Sequence, residues 1–191
     1  MKTQIIIRTF GVLVLSTATW LSAEEAAPLD RSGALAAAHA GDWERAEAVL
    51  EPLAAATPPD VEACVALALR RLEQKRHKEA VVFAERAVQV APDSADLQAL
   101  LGRTLGARIG ELIFVQQGFV ASRMLHAFHR AVELDPRHVP ALVGLANYYL
   151  NAPAIVGGSV DKAEEYVRQI EPLAPDEAAA LRARIRERRG Q

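Results

Sequence analysis

The stretch "NAPAIVGGSVDK", residues 151 to 162, sets two glycines and a hydroxyl ahead of a lysine, the ingredients of a phosphate cradle. A phosphate loop of the G-x-x-x-x-G-K-[ST] type needs its Lys directly after the last glycine and a hydroxyl directly after that Lys. Here Ser159, Val160 and Asp161 separate Gly158 from Lys162, and Ala163 follows. Spacing, hydroxyl and a preceding strand are all wanting. A second candidate is His126, His129 and Glu133, whose separations of three and four residues bring metal-ligating side chains onto one side of a helix. Met124, Phe128 and Ala131 define the buried side of that same segment, which turns the histidines toward water with no fourth ligand in view. No metal is expected there. Cys64, the one cysteine, lies among Val61, Val65, Leu67 and Ala68 in a helical apolar pattern and reads as a small core residue, since a single thiol closes no internal disulfide. The chain has no G-x-S-x-G and no H-E-x-x-H motif, and its carboxylates fall at solvent-side or base-flanked helix positions. Neither a catalytic residue nor a cofactor is expected.

The elements that would carry such residues follow from composition. Of 191 residues 51% are hydrophobic and only 5% aromatic, with Ala, Leu, Arg and Glu abundant, which predicts one all-helical domain large enough for its own core. The first residues read separately. Lys2 and Arg8 precede the apolar run "FGVLVLSTATWLSA", and Glu24 and Glu25 follow it, so residues 1–23 are expected to be a secretory signal peptide cut after Ala23, with an uncleaved membrane anchor as the alternative. The mature domain is then 24–191, periplasmic or secreted, with membrane contact only if the first segment is retained. Removing Lys2 and Arg8 and no acid moves the formal charge from −2 to −4, a balance that gives no reason to expect nucleic acid.

A repeat organises the rest. Pro58, Pro92, Pro136 and Pro175 each lie twelve residues after Ala46, Ala80, Met124 and Ala163 respectively. Between each anchor and its proline come Leu50, Ala84, Phe128 and Val167, then Leu53, Ala87, Ala131 and Ile170, the spacing of a buried helical stripe. Each proline blocks further helix. Large-small pairs recur in the preceding helices, Leu67-Ala68, Leu101-Gly102 and Leu145-Ala146, nine and ten residues after a proline. With "GDWERAEAVLEPL" at 41–53, "LQALLGRTL" at 97–105 and "FHRAVELDP" at 128–136, the pattern resembles the tetratricopeptide repeat family, whose helix-turn-helix unit recurs about every 34 residues. The resemblance spans about residues 27 to 175 and departs from the family at Met124, where a small residue is usual, and at Gly33, where a large one is. It implies an all-α helix-turn-helix solenoid of about four repeats. The last segment, "DEAAALRARIRERRGQ", puts Ala178, Leu181 and Ile185 on one face with five arginines around it and is expected to be a solvating C-terminal capping helix.

The prolines are spaced 34, 44 and 39 residues apart. Both helix registers are kept, so the extra residues are assigned to enlarged turns inside the third and fourth units, 106–122 and 151–159. The second has Pro153 to break a helix, Gly157 and Gly158 to permit strained backbone, and Ser159 or Asp161 to cap the next helix. The first is unusually apolar, with Ile109, Leu112, Ile113, Val115, Phe119 and Val120, and is expected to pack on its own repeat or, failing that, to form a binding surface. In a solenoid of this kind the two turns emerge on the same edge, so Ile109, Leu112, Ile113 and Phe119 should meet Ile155, Val156, Gly157 and Gly158 as a patch, with Tyr148 and Tyr149 near its floor.

The resemblance also implies a concave groove formed by the first helix of each unit, where family members hold peptides or partner helices. By register its lining is Arg31 and Leu35, then Glu62, Val65, Leu69 and Glu73, then Asp96, Ala99 and Arg103, then Val143, Asn147 and Asn151. Arg103 and Asn147 are too few for the Lys, Asn and Arg set with which some relatives clamp a terminal carboxylate. The expected function is a non-catalytic scaffold or adaptor of the cell envelope that binds a protein or peptide. The alternative is a carrier or sensor of an apolar ligand such as a lipid, which a faint resemblance of the third unit to regulator of microtubule dynamics proteins also implies.

Overall fold

The computed structural model describes residues 29–190; the expected signal peptide lies outside the described residues. Among the described residues nine α-helices follow one another: α1 (Arg31–His39), α2 (Trp43–Ala55), α3 (Val61–Glu73), α4 (His77–Val90), α5 (Ala95–Ile109), α6 (Phe114–Leu134), α7 (Val139–Asn151), α8 (Val160–Ile170) and α9 (Pro175–Arg189), with a short 3₁₀ turn at Ala154–Val156 before α8. They pair as four antiparallel hairpins, α1 with α2, α3 with α4, α5 with α6 and α7 with α8, and α9 packs on the last pair. No strand occurs among the described residues.

The first helix of every hairpin starts on a side chain that accepts from its opening backbone N–H: Asp30 from Gly33, Asp60 from Ala63, Ser94 from Leu97 and His138 from Ala141. Three of these caps stand two residues after Pro58, Pro92 and Pro136, so the proline that forbids one helix directly precedes the group that begins the next. Asp60 has a second task. Its carboxylate takes a hydrogen bond from Arg31 Nε at 2.5 Å, and that bond, ahead of the Ala63 N–H, holds its pKa below the ordinary value. Register residues form the core. Ala46, Leu50, Ala80, Ala84, Ala87, Ala131, Ala163, Val167 and Ile170 have no accessible surface, and Met124 and Phe128 very little. Leu67, Ala68, Leu145 and Ala146 are buried with them, as is Gly102.

The first two hairpins are sealed by ions as well as by alanine. Arg71 of α3 is 1% exposed and donates to Glu47 at 2.8 Å and Glu51 at 2.6 Å on α2 and to Gln74 at 3.0 Å. Burial opposes its charge, and the three carboxylates of Glu47, Glu51 and Glu79 outweigh that opposition. Cys64 is fully buried, and burial pushes its thiol pKa up.

One expectation is corrected. The enlarged turn assigned to 106–122 is mostly helix, and only residues 110–113 leave it. The inserted residues went into length: α6 runs for 21 residues where its counterpart α4 has 14. The physical reason is that "FVQQGFVAS" contains no proline, and its one glycine, Gly118, is an open position with nothing near a would-be Cβ. Apolar periodicity without a breaker continues a helix. The fourth unit's turn does leave helix between Asn151 and Val160 apart from its 3₁₀ turn, and Ser159 accepts from Lys162 N at 3.3 Å to begin α8. Gly157 has φ +93°, and a Cβ on Gly158 would lie 1.8 Å from the Ala152 carbonyl oxygen. Both positions require glycine.

Candidate functional site: a groove on the third and fourth units

The first helices of the third and fourth units, α5 and α7, run side by side with the long α6 behind and beyond them, and they enclose a groove of about 1350 Å³. Its floor is built by one aromatic residue. Phe128 of α6 is 5% exposed and fills the space where side chains of α5 and α7 would otherwise stand: a Cβ on Gly102 would lie 2.7 Å from its ring and one on Gly144 2.4 Å. Met124 occupies the same role one turn earlier, with its sulfur 3.1 Å from a Cβ on Gly106. Glycine at these positions bares the helix backbone and lets the large residues of α6 reach the groove.

Six residues of the expected lining are here. Asp96, Ala99 and Arg103 of α5 and Val143, Asn147 and Asn151 of α7 all face the groove. The other six, Arg31, Leu35, Glu62, Val65, Leu69 and Glu73, do not line it. Arg31 and Glu62 are ion-paired at 3.0 Å, Leu35 and Val65 pack on the core of the first units, Leu69 is 36% exposed, and Glu73 meets Arg70 at 3.5 Å. They share the first-helix register without sharing the hollow, which opens where Gly102, Gly106 and Gly144 leave α5 and α7 without side chains opposite Met124 and Phe128.

The polar groups of the groove are mostly committed to one another. Asp96 accepts from His138 Nε2 at 3.0 Å, and Tyr148 donates to the Val156 carbonyl. Gln117 donates to the Leu112 carbonyl at 2.8 Å. Arg184 of α9 reaches back to the Asn147 Oδ1 and, at 3.2 Å, to the Asn151 Oδ1, while Asn151 Nδ2 donates to the Asn147 carbonyl at 2.6 Å. The arginines of the capping helix are therefore clamps as well as solvating groups: Arg182 pairs with Glu171, and Arg189 meets Asp161 and Glu164 at 2.9 and 2.8 Å.

The mouth is apolar. Phe114, Val115 and Val156 line the groove, and Ile113, Phe119 and Ile155 flank it. Exposure decides how the third-unit segment behaves: Ile113 is 68% exposed, Phe114 75%, Val115 81% and Phe119 69%, and Ile155 of the fourth unit's turn is 88% exposed. The expectation that the segment packs on its own repeat is corrected for Ile113, Val115 and Phe119 and holds for Ile109, Leu112 and Val120, which join the core. The beginning of α6 overhangs the solenoid edge, so its first turn and a half, Phe114 to Phe119, has little to bury against before Val120 enters the core. The two turns thus border one hollow, with Tyr148 on its wall. Tyr149 lies off the groove, stacked on Tyr166 at 5.7 Å. Gly102, Gly106, Gly144 and Phe128 were not assigned to the groove from sequence; the glycines in first-helix positions facing a phenylalanine of the second helix were the available signal.

His126, His129 and Glu133 lie outside the groove. His126 is exposed, Glu133 is held by Arg130 at 3.2 Å, and burial leads the lowering of the His129 pKa.

No protein-family model and no curated protein matches the sequence. Solved structures do. TTC0263, a thermophilic TPR protein of Thermus thermophilus, superimposes with a TM-score of 0.62 at 20% identity, covering 83% of this chain and 91% of that one. The fold is the tetratricopeptide-repeat fold. MamA from MSR-1 matches with a TM-score of 0.60 at 22% identity over 84% of both chains, and MamA from AMB-1 with 0.58 at 20% identity over 84% of this chain and 80% of that one. The solenoid of helix pairs expected from the proline period is thus shared with a TPR protein over most of the chain. Among the described residues no helix is long and apolar enough to cross a membrane.

Proposed function

We propose that this chain is a non-catalytic interaction module whose working surface is the groove of the third and fourth units. The observation that carries the reading is the groove itself, about 1350 Å³ with an apolar floor and a few convergent polar groups. Taken as a cylinder about 10 to 12 Å across, that volume holds two to three turns of helix, which suits a partner helix or a folded-over peptide. The export reading of residues 1–23 puts this activity in the periplasm or outside the cell, as an envelope adaptor.

A specific test compares wild type with Val143→Asp in pull-downs from envelope extract, using Val90→Asp on the outer surface as control. A partner held by wild type and by the control and lost by Val143→Asp supports the groove. A partner retained by all three places recognition elsewhere.

A second reading, carriage of an apolar ligand, is favoured by the lip. Phe114 and Val115 are among the most exposed large hydrophobic residues described and open directly onto the hollow, an arrangement suited to passing an apolar chain from an interface into a cavity.

A further inference from the structure

Among the polar side chains of the groove, Arg103 and Asn147 have spent none of their donors on other residues described. Asn151, Tyr148 and Gln117 spend theirs on backbone carbonyls. Arg103 of α5 is exposed on the groove wall and enters none of the ion pairs among the described residues. Asn147 has its carbonyl oxygen taken by Arg184, so its NH₂ is what it offers the hollow. A guanidinium and an amide NH₂ both seek acceptors, and a guanidinium favours an anion. The acids of the lining, Asp96 and Glu177, stand at the opening ends of α5 and α9. Arg103 is seven residues beyond Asp96, about 10 Å along the helix, so an anion is repelled from the outer end and received in the middle. From Arg103 onward the surface is apolar: bare backbone at Gly106, then Ile109, then the lip of Phe114, Val115 and Val156.

We propose that the groove binds a long-chain aliphatic anion, with its carboxylate or phosphate head on Arg103 and Asn147, beside Phe128, and its tail running over Met124 to the Phe114 and Val115 lip. The proposal rests on the apolar-ligand reading and adds the head group that reading leaves open. A neutral chain of the same length loses the charge-assisted bonds and binds about tenfold or more weakly.

The test is calorimetric titration of the purified full-length chain with oleate, oleyl phosphate and oleyl alcohol, each kept below the concentration at which it aggregates. Both anions should bind more tightly than the alcohol. The tighter of the two names the source, free fatty acid for oleate and a phospholipid-like head for oleyl phosphate. Arg103→Gln, an exposed position whose melting temperature should not move, should weaken the anions about tenfold or more and leave the alcohol within about twofold. Val115→Asp should weaken all three. Equal binding of alcohol and anions, or anion binding indifferent to Arg103→Gln, overturns the proposal and leaves the apolar-ligand reading standing. Failure of all three probes to bind overturns both.

Discussion

The first two hairpins and the next two use one repeat to opposite ends. In α1 to α4 the register positions are filled by Ala46, Leu50, Ala80, Ala84 and Ala87, and the buried Arg71 with its carboxylates ties α3 to α2. In α6 the same register positions hold Met124 and Phe128, and glycines opposite them on α5 and α7 make room. The surplus bulk comes through to the concave side as a floor, and the longer α6 adds a lip. A solenoid therefore need not be uniform to be regular: the period fixes where helices go, and large residues at two positions of one second helix, set against glycines on the neighbouring first helices, open a hollow.

The largest expected effect is at the floor. Phe128→Ala should destabilise by about 3–5 kcal/mol in chemical denaturation, because it empties the contact between three helices. A loss below about 1 kcal/mol would mean that the second half tolerates an unfilled floor and that the contrast is one of shape alone. Arg71→Ala should cost about 2 kcal/mol, under the range for a fully enclosed pair, since its side chain is 2% exposed while Glu47 and Glu51 are 27% and 54% exposed and can turn to water. Raising the salt concentration should shrink that difference only slightly, because the guanidinium is enclosed. In the same half, Ala80→Leu should cost roughly 1–3 kcal/mol by overpacking a site with no free surface. An unchanged denaturation midpoint there would show that alanine is not what closes these hairpins. Smallest is Val115→Asp, expected within about 0.5 kcal/mol of wild type because its side chain already faces water. A marked fall in melting temperature would turn the lip back into core.

The hairpin order, the buried register and the capping helix were legible in the sequence because they rest on spacing, and spacing survives any choice of side chain. Prolines in phase and the stripe from Leu50 to Ile170 needed no knowledge of packing. The extent of the third unit's turn was not legible. Ten added residues can lengthen a loop or two helices with the same arithmetic, and only the absence of a breaker between Gly110 and Leu134 chooses. The groove was half legible. Helix register identified Asp96, Ala99, Arg103, Val143, Asn147 and Asn151, yet the same rule named six residues of the first units that lie outside this hollow, because register alone does not say which neighbour a first helix faces. Arg184 reaching Asn147 was beyond sequence reading altogether, since the two are 37 residues apart and their meeting depends on how α9 lies across α7.

The position of Phe128 has a mechanical consequence. A single ring touches two walls at once, so α5 and α7 cannot slide past each other without shearing it from one of them, and a dense interior resists such shear. The hollow then has a fixed calibre. Whatever enters is sorted by girth before any polar group is consulted, and a guest thicker than the gauge must first expel the pin that sets it.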